Sequence, residues 1–257
     1  FAEGVRGRSR EAQVPALCEL FDQPYCLADP LTCALTLDKA LAKRVVRDHG
    51  LPTAPFALVS SPDEALRVEL APPLFVKPYA EGSSKGVTGR SYVGSRDELW
   101  RACAELIALF RQPVLVERFL PGREFTVGVV GNGGESRVVG VMEVLITAGA
   151  ETHSYTALNK DEYLERVTYR LIDGEPLAEE CRRVALGAYH ALGCRDAARV
   201  DIRCDENGVP CFLEANPLPG LNHVRSDLPI MARLAGRTYG ELLGWILDAA
   251  ARRCGLH

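Results

Sequence analysis

The sequence lacks several things that would each settle a function class. No apolar run approaches the roughly 18 residues that a membrane-spanning helix needs, so no membrane partner is expected. No long basic run occurs, and the formal net charge is -4 at pH 7, so nucleic acid is not expected as a partner either. There is no Cys-x-x-Cys, and the five histidines form no ligand cluster, so zinc lacks its usual spacing. The nine cysteines are Cys18, Cys26, Cys33, Cys103, Cys181, Cys194, Cys204, Cys211 and Cys254. Their odd number and mostly apolar neighbours read as reduced, buried thiols of a cytoplasmic protein. Phe1–Arg6 has no apolar core of the kind a signal peptide carries. No internal repeat or low-complexity tract is visible.

What is present supports a sizeable core. The chain has 257 residues, 47% of them hydrophobic, enough for one large domain or two or three lobes. Ser61-Pro62-Asp63-Glu64, Ser95-Arg96-Asp97-Glu98 and Thr238-Tyr239-Gly240-Glu241 each read as a capping box that opens a helix. Leu177, Cys181, Val184, Ala188 and Leu192 predict a helix over 176–192, with Gly193 as its stop. A further helix is predicted over Leu37–His49. Strands are predicted at 73–78, 113–119, 124–130 and 137–144, the last two joined by a Gly-rich turn. The mixture is α+β, built from antiparallel hairpins rather than a βαβ series. The first 36 residues carry a helix-like run (Val14, Leu17, Leu20, Phe21) and no strand set, like the end of a domain that began earlier.

Residues 198–203 and 212–217 read as two strands joined by Asp205-Glu206-Asn207-Gly208. Side chains alternate along a strand, so Arg199, Asp201 and Arg203 share one side, and Glu214 and Asn216 share one side. If those sides coincide, two carboxylates and an amide oxygen meet beside a guanidinium. Such an all-oxygen set suits a hard cation such as Mg²⁺ next to phosphate. The plain alternative is a hairpin with a solvated, charged face. Glu81-Gly82-Ser83-Ser84-Lys85-Gly86 is a Gly/Ser loop whose N–H groups could wrap an anion. It is not a Walker A loop, because no Gly-Lys-Ser/Thr opens a helix there. Lys77 stands in an otherwise apolar strand, either to meet an anion or to guard a sheet edge. Lys39 lies on the predicted helix, where an exposed lysine is ordinarily part of a solvated face. Glu117 either accepts from an adenine amino group or marks a strand end.

Taken in order, these segments resemble the ATP-grasp ligases. The likeness rests on Lys39, Phe75-Val76-Lys77-Pro78, the 81–86 loop, Val116-Glu117-Arg118-Phe119-Leu120 and Gly122-Arg123-Glu124-Phe125-Thr126-Val127. It continues through Arg199-Val200-Asp201 and Leu213-Glu214-Ala215-Asn216. Ala34–Lys39 and Pro217-Leu218-Pro219-Gly220 are most similar to the D-alanine–D-alanine ligase branch. The resemblance implies an ATP-grasp fold in which two α+β subdomains grip ATP between antiparallel sheets. It implies boundaries at 1–36 (the remnant of a preceding domain), 37–120 (central subdomain) and 121–257 (C-terminal subdomain). The implied cofactors are ATP and two Mg²⁺ (or Mn²⁺) ions. The implied reaction joins two amino acids through an acyl phosphate, as in peptidoglycan synthesis, with D-amino acids as small-molecule substrates and a homodimer as the assembly.

Residue roles follow from the same resemblance. Lys39 and Lys77 would contact ATP phosphates, and Ser83 and Ser84 would lie in the loop that closes over them. Glu117, the backbone of Phe119 and Leu120, and Leu213 would hold the adenine, and Glu124 the ribose. Asp201, Glu214 and Asn216 would bind the metal ions, with Glu214 bridging. Arg199 and the Gly220 N–H would stabilise the oxyanion, and Ser226 would meet the substrate carboxylate. Two departures are expected to matter. The family's N-terminal domain is largely absent from this sequence. In Thr152–Lys160, Leu158 and Asn159 stand where the family has a Lys and often a Tyr, which leaves Tyr155 and Lys160 as substitutes. The competing expectations are a nucleotide-binding module without ligase activity, a ligase with another acceptor, and a structural domain that binds nothing.

Overall fold

A computed structural model describes residues 4, 6–82, 85–146 and 167–256. Four helices and strands come first in the chain: α1 (Gln13–Leu20), α2 (Pro30–Leu37), α3 (Lys39–Asp48) and β1 (Phe56–Val59). The helix expected over Leu37–His49 is α3, which begins two residues later, after Asp38. Asp38 has extended backbone, and its carboxylate accepts from Leu41 N–H at 3.0 Å, so it caps α3 and cannot continue α2. Asp29 caps α2 in the same way, with Pro30 at the first helical position.

Next come α4 (Pro62–Ala65), β2 (Leu74–Pro78), β3 (Tyr92–Val93), α5 (Arg96–Phe110) and β4 (Val114–Arg118). The capping box expected at Ser61 does not form. Its side chain makes no cap bond, Glu64 accepts from Ser60 N–H instead, and α4 is a single turn. Ser95 does cap α5, through Glu98 N–H. These strands make an antiparallel sheet in the order β1-β4-β2-β3. Val59, Leu74, Val76, Val93, Val114 and Val116 point to one face, where Leu99 and Cys103 of α5 cover them.

The second sheet has the order β7-β6-β5-β8-β9 and is also antiparallel. Its strands are β5 (Glu124–Val130), β6 (Arg137–Ile146), β7 (Val167–Leu171), β8 (Ala197–Cys204) and β9 (Pro210–Asn216). Period-two alternation sends Phe125, Val127 and Val129 into the largest core. There they meet α6 (Pro176–Ala191) through Cys181, Val184, Ala185 and Ala188, and α3 through Ala42 and Val46. The opposite face receives α7 (Asp227–Leu234) and α8 (Tyr239–Cys254). Gly128 permits that approach, because a Cβ there would lie 2.5 Å from Leu228 Cδ1. Thr238 and Glu241 form the complete capping box expected at the start of α8.

All nine thiols are free, and six are buried. Burial pushes Cys33, Cys103 and Cys181 up to about 12, so they behave as core hydrophobes. Cys26 is exposed, against the expectation of burial. No helix among the described residues is long and apolar enough to cross a membrane.

Candidate active site

The two sheets face each other across a cleft of about 830 Å³, its open mouth included. Lys39 and Lys77 line it, as do Glu117, Phe119, Leu120, Glu124, Leu213, Asp201 and Glu214. Nine of the residues singled out in the sequence therefore converge on one space.

At one end of the cleft, Glu117 is 3% exposed and lies between two lysines. Lys77 Nζ stands 2.7 Å from its Oε2 and Lys43 Nζ 2.6 Å from its Oε1. The Lys43 contact is an ion pair without the alignment of a hydrogen bond. Lys43 itself is fully buried and donates to Thr53 Oγ1 and to the Phe212 carbonyl. Burial alone would raise the Glu117 carboxyl. The two ammonium groups outweigh it and hold Glu117 below the usual carboxylate range. Burial lowers Lys43 despite Glu117. For Lys77 burial also pulls down, but Glu117 and Glu214 outweigh it, and its pKa rises.

Lys77 is not an edge-strand guard, since β2 lies between β4 and β3 and Lys77 is 8% exposed. Lys39 is equally buried, against the solvated alternative. It donates to the Glu81 carbonyl and reaches Glu214 Oε2 at 3.3 Å. Sequence reasoning missed Lys43. Its signal was the spacing from Lys39, four residues on and hence on the same helical face.

At the other end, the β8–β9 pairing sets Arg199 opposite Asn216 and Asp201 opposite Glu214. Residues opposite each other in an antiparallel pair share a face, so the two strand faces coincide. Asp201 accepts from Arg199 Nη2 at 2.9 Å, from Thr126 Oγ1 at 3.0 Å and from Asn216 Nδ2 at 3.4 Å. Arg199 Nη1 donates to Asp227 Oδ2 at 2.6 Å. Burial would lower the Arg199 pKa, but Asp201, Asp227 and Glu214 raise it, so the guanidinium stays charged.

Among the described residues no group of three or more His, Cys, Asp and Glu could hold a metal alone. Asp201, Glu214 and the Asn216 amide offer hard oxygen donors on one face, a set that fits Mg²⁺ when phosphate oxygens and water complete the shell. Gly220 does not line the cleft. It sits against Ser226, whose Oγ would be 2.6 Å from a Cβ there. Glu124 pairs with Arg203 at 3.2 Å, and the Arg203 guanidinium lies 5.1 Å from the Phe119 ring centre. Asp227 and Arg203 were given no role from sequence. Ser83, Ser84, Tyr155 and Lys160 lie outside the described residues.

The family model described as D-ala D-ala ligase C-terminus matches residues 45–248. The chain belongs to the D-alanine–D-alanine ligase family. A D-alanine–D-alanine ligase of Bordetella avium is 34% identical over 96% of this chain and 76% of its own length. That of Bordetella pertussis is 36% identical over 91% of this chain and 72% of its own. An uncharacterized protein of Sinorhizobium fredii is 34% identical over 98% of this chain and 74% of its own. The chain thus spans about three quarters of these relatives. Among solved structures, the Bacillus anthracis D-alanine–D-alanine ligase complexed with ATP superposes with a TM-score of 0.75 at 24% identity. The match covers 99% of this chain and 76% of that one. The VanG D-Ala:D-Ser ligase of Enterococcus faecalis gives 0.75 at 26% identity, covering 93% and 68%. The two-sheet architecture is therefore the ATP-grasp fold of the D-alanine–D-alanine ligase family.

Proposed function

We propose that this family member joins two D-alanines at the expense of ATP, through an acyl phosphate. The observation that supports it best is the single cleft in which a lysine-rich end adjoins an oxygen-donor end. A carboxylate is a poor electrophile. Its oxygen attacks the γ-phosphorus and ADP leaves. The second amino acid's nitrogen then attacks the acyl carbon, the C–N bond forms, and phosphate departs with the C–O bond.

Lys39 and Lys77 hold and neutralise the phosphates. Glu117 retains lone pairs for the adenine amino group. Phe119 N–H is already spent on the Pro73 carbonyl at 3.1 Å, so the backbone contact to the base falls to Leu120, with Leu213 packing on the ring. Glu124 takes the ribose. Asp201, Glu214 and Asn216 hold the two Mg²⁺ or Mn²⁺ ions, whose chemistry is to draw charge from the phosphate oxygens. Arg199 meets the oxyanion of the tetrahedral intermediate. Ser226 takes the substrate carboxylate.

The division into 1–36, 37–120 and 121–257 belongs to the same proposal, as do a cytoplasmic location and a homodimer. The core of α3 contacts the five-stranded sheet, so the central subdomain is joined to the next through this helix. Phosphate release measured with ATP, Mg²⁺ and a panel of D- and L-amino acids tests the function. Release that depends on D-alanine and yields dipeptide is expected. Nucleotide binding without amino-acid-dependent release would replace the ligase with a binding module.

A further inference from the structure

We propose that Asp227, steadied by Tyr169, is a positioning residue that aims Arg199 at the amine-attack step. The inference rests on the ligase reading above. Arg199 is gripped by two carboxylates of different origin. Asp201 lies two residues along the same strand and takes Nη2 at 2.9 Å. Asp227 opens α7, outside the hairpin, and takes Nη1 at 2.6 Å. A guanidinium is planar and rigid, so fixing both Nη atoms fixes its plane. Each carboxylate takes one nitrogen, and neither makes the bidentate pair of which Arg and Asp are capable.

This division has a chemical consequence. Without Asp227, the guanidinium would be free to swing wholly onto Asp201. That would engage both oxygens of a residue assigned to the metal ions and withdraw donors from the oxyanion. Asp227 is itself well placed to resist the pull. Its carboxylate stands at a helix N-terminus, where the backbone dipole favours negative charge. Its Oδ1 accepts from Tyr169 Oη of β7 at 3.2 Å. It is 8% exposed, and Leu228, Ile230 and Met231 behind it are buried. Gly128 brings this helix close to β5, so the carboxylate is set by packing of the whole helix on the sheet.

The two chemical steps separate a positioning role from a structural one. Acyl phosphate formation does not need the oxyanion donor of the second step. A mis-aimed Arg199 therefore leaves the acyl phosphate waiting, and water competes with the amine for its acyl carbon. Water attack forms a C–O bond, expels phosphate, and returns the free amino acid. The experiment measures dipeptide and phosphate together in the full chain, for Asp227→Asn, Asp227→Glu and Tyr169→Phe.

The unaltered protein is expected to release one phosphate per dipeptide. In Asp227→Asn the dipeptide rate should fall on the order of tenfold or more, while KM for ATP stays within about twofold. Phosphate per dipeptide should rise above two. Asp227→Glu should recover part of the coupling, and Tyr169→Phe should show the same uncoupling more weakly. The near-isosteric Asn and Phe variants guard against simple misfolding, and an ATP-induced rise in Tm shows that each retains its nucleotide site. Parallel loss of phosphate and dipeptide at constant ratio would overturn the positioning role, as would an unchanged rate. If the unaltered protein shows no amino-acid-dependent release, the ligase reading fails first and the clamp with it.

Discussion

Glu117 and Arg199 are mirror images in charge. The four-stranded sheet places one carboxylate between two ammonium groups, Lys43 and Lys77. The five-stranded sheet places one guanidinium between two carboxylates, Asp201 and Asp227. Both arrangements fix the central group by opposing pulls, yet they leave opposite remainders. The lysine end keeps one positive charge in excess and suits phosphate. The aspartate end keeps one negative charge in excess and suits divalent cations. Burial differs too. Lys43 and Glu117 are almost wholly out of water, whereas Arg199 and Asp201 keep about 15% and 16% of their side-chain surface. The first cluster is committed to one arrangement, and the second can exchange partners when ligands arrive.

The contrast can be broken most forcefully at Lys43. Lys43→Met leaves Glu117 buried with one cation instead of two. Removing one partner of a buried ion pair costs about 3–5 kcal/mol, so the urea midpoint should drop accordingly; an unchanged midpoint would show that the pair contributes nothing to the fold. Glu214→Gln should preserve the fold while lowering Mg²⁺-dependent turnover on the order of a hundredfold. Full activity would remove Glu214 from the metal set. Lys77→Ala should weaken ATP binding roughly ten- to hundredfold, as a charge-assisted contact of about 1.5–3 kcal/mol implies, and calorimetry that finds the same affinity would sink its phosphate role.

The smallest expected effect is on pH dependence. Glu117 is depressed when folded, so its stabilisation is present above the unfolded carboxylate value, about 4.3. It is lost as pH falls through the lower folded value. Acid unfolding of Glu117→Gln should be flatter than that of the unaltered chain between the unfolded value, about 4.3, and the lower folded one. Equal slopes would assign the acid limb to other carboxylates such as Glu143, which Arg123 also depresses.

The two ends were unequally legible in the sequence. Arg199, Asp201, Glu214 and Asn216 could be read together because a hairpin is local. Period-two alternation puts Arg199 with Asp201 and Glu214 with Asn216 as read, but the register slips by one residue between Asp201 and Ile202, a bulge that alternation from the turn does not announce. Lys77 was legible as a charge in an apolar strand. Lys43 was not, because a helical lysine is ordinarily solvated and its burial depends on Phe212, which is 169 residues away in sequence. Asp227 was hidden for the same reason, since its contact with Arg199 needs α7 to dock on Gly128. The start of α3 was placed two residues early, because Leu37 closes α2 and Asp38 caps α3.

Lys39 and Lys43 belong to a single helix, α3, and stand four residues apart. Lys39 reaches Glu214 of the five-stranded sheet, while Lys43 reaches Glu117 of the four-stranded sheet. About 6 Å of rise over four residues is therefore the gauge by which one helix ties a carboxylate of each sheet. An inserted or deleted residue between Ala40 and Ala42 would rotate one lysine by about 100° relative to the other. The helix could then be in register with Glu214 or with Glu117, but not with both.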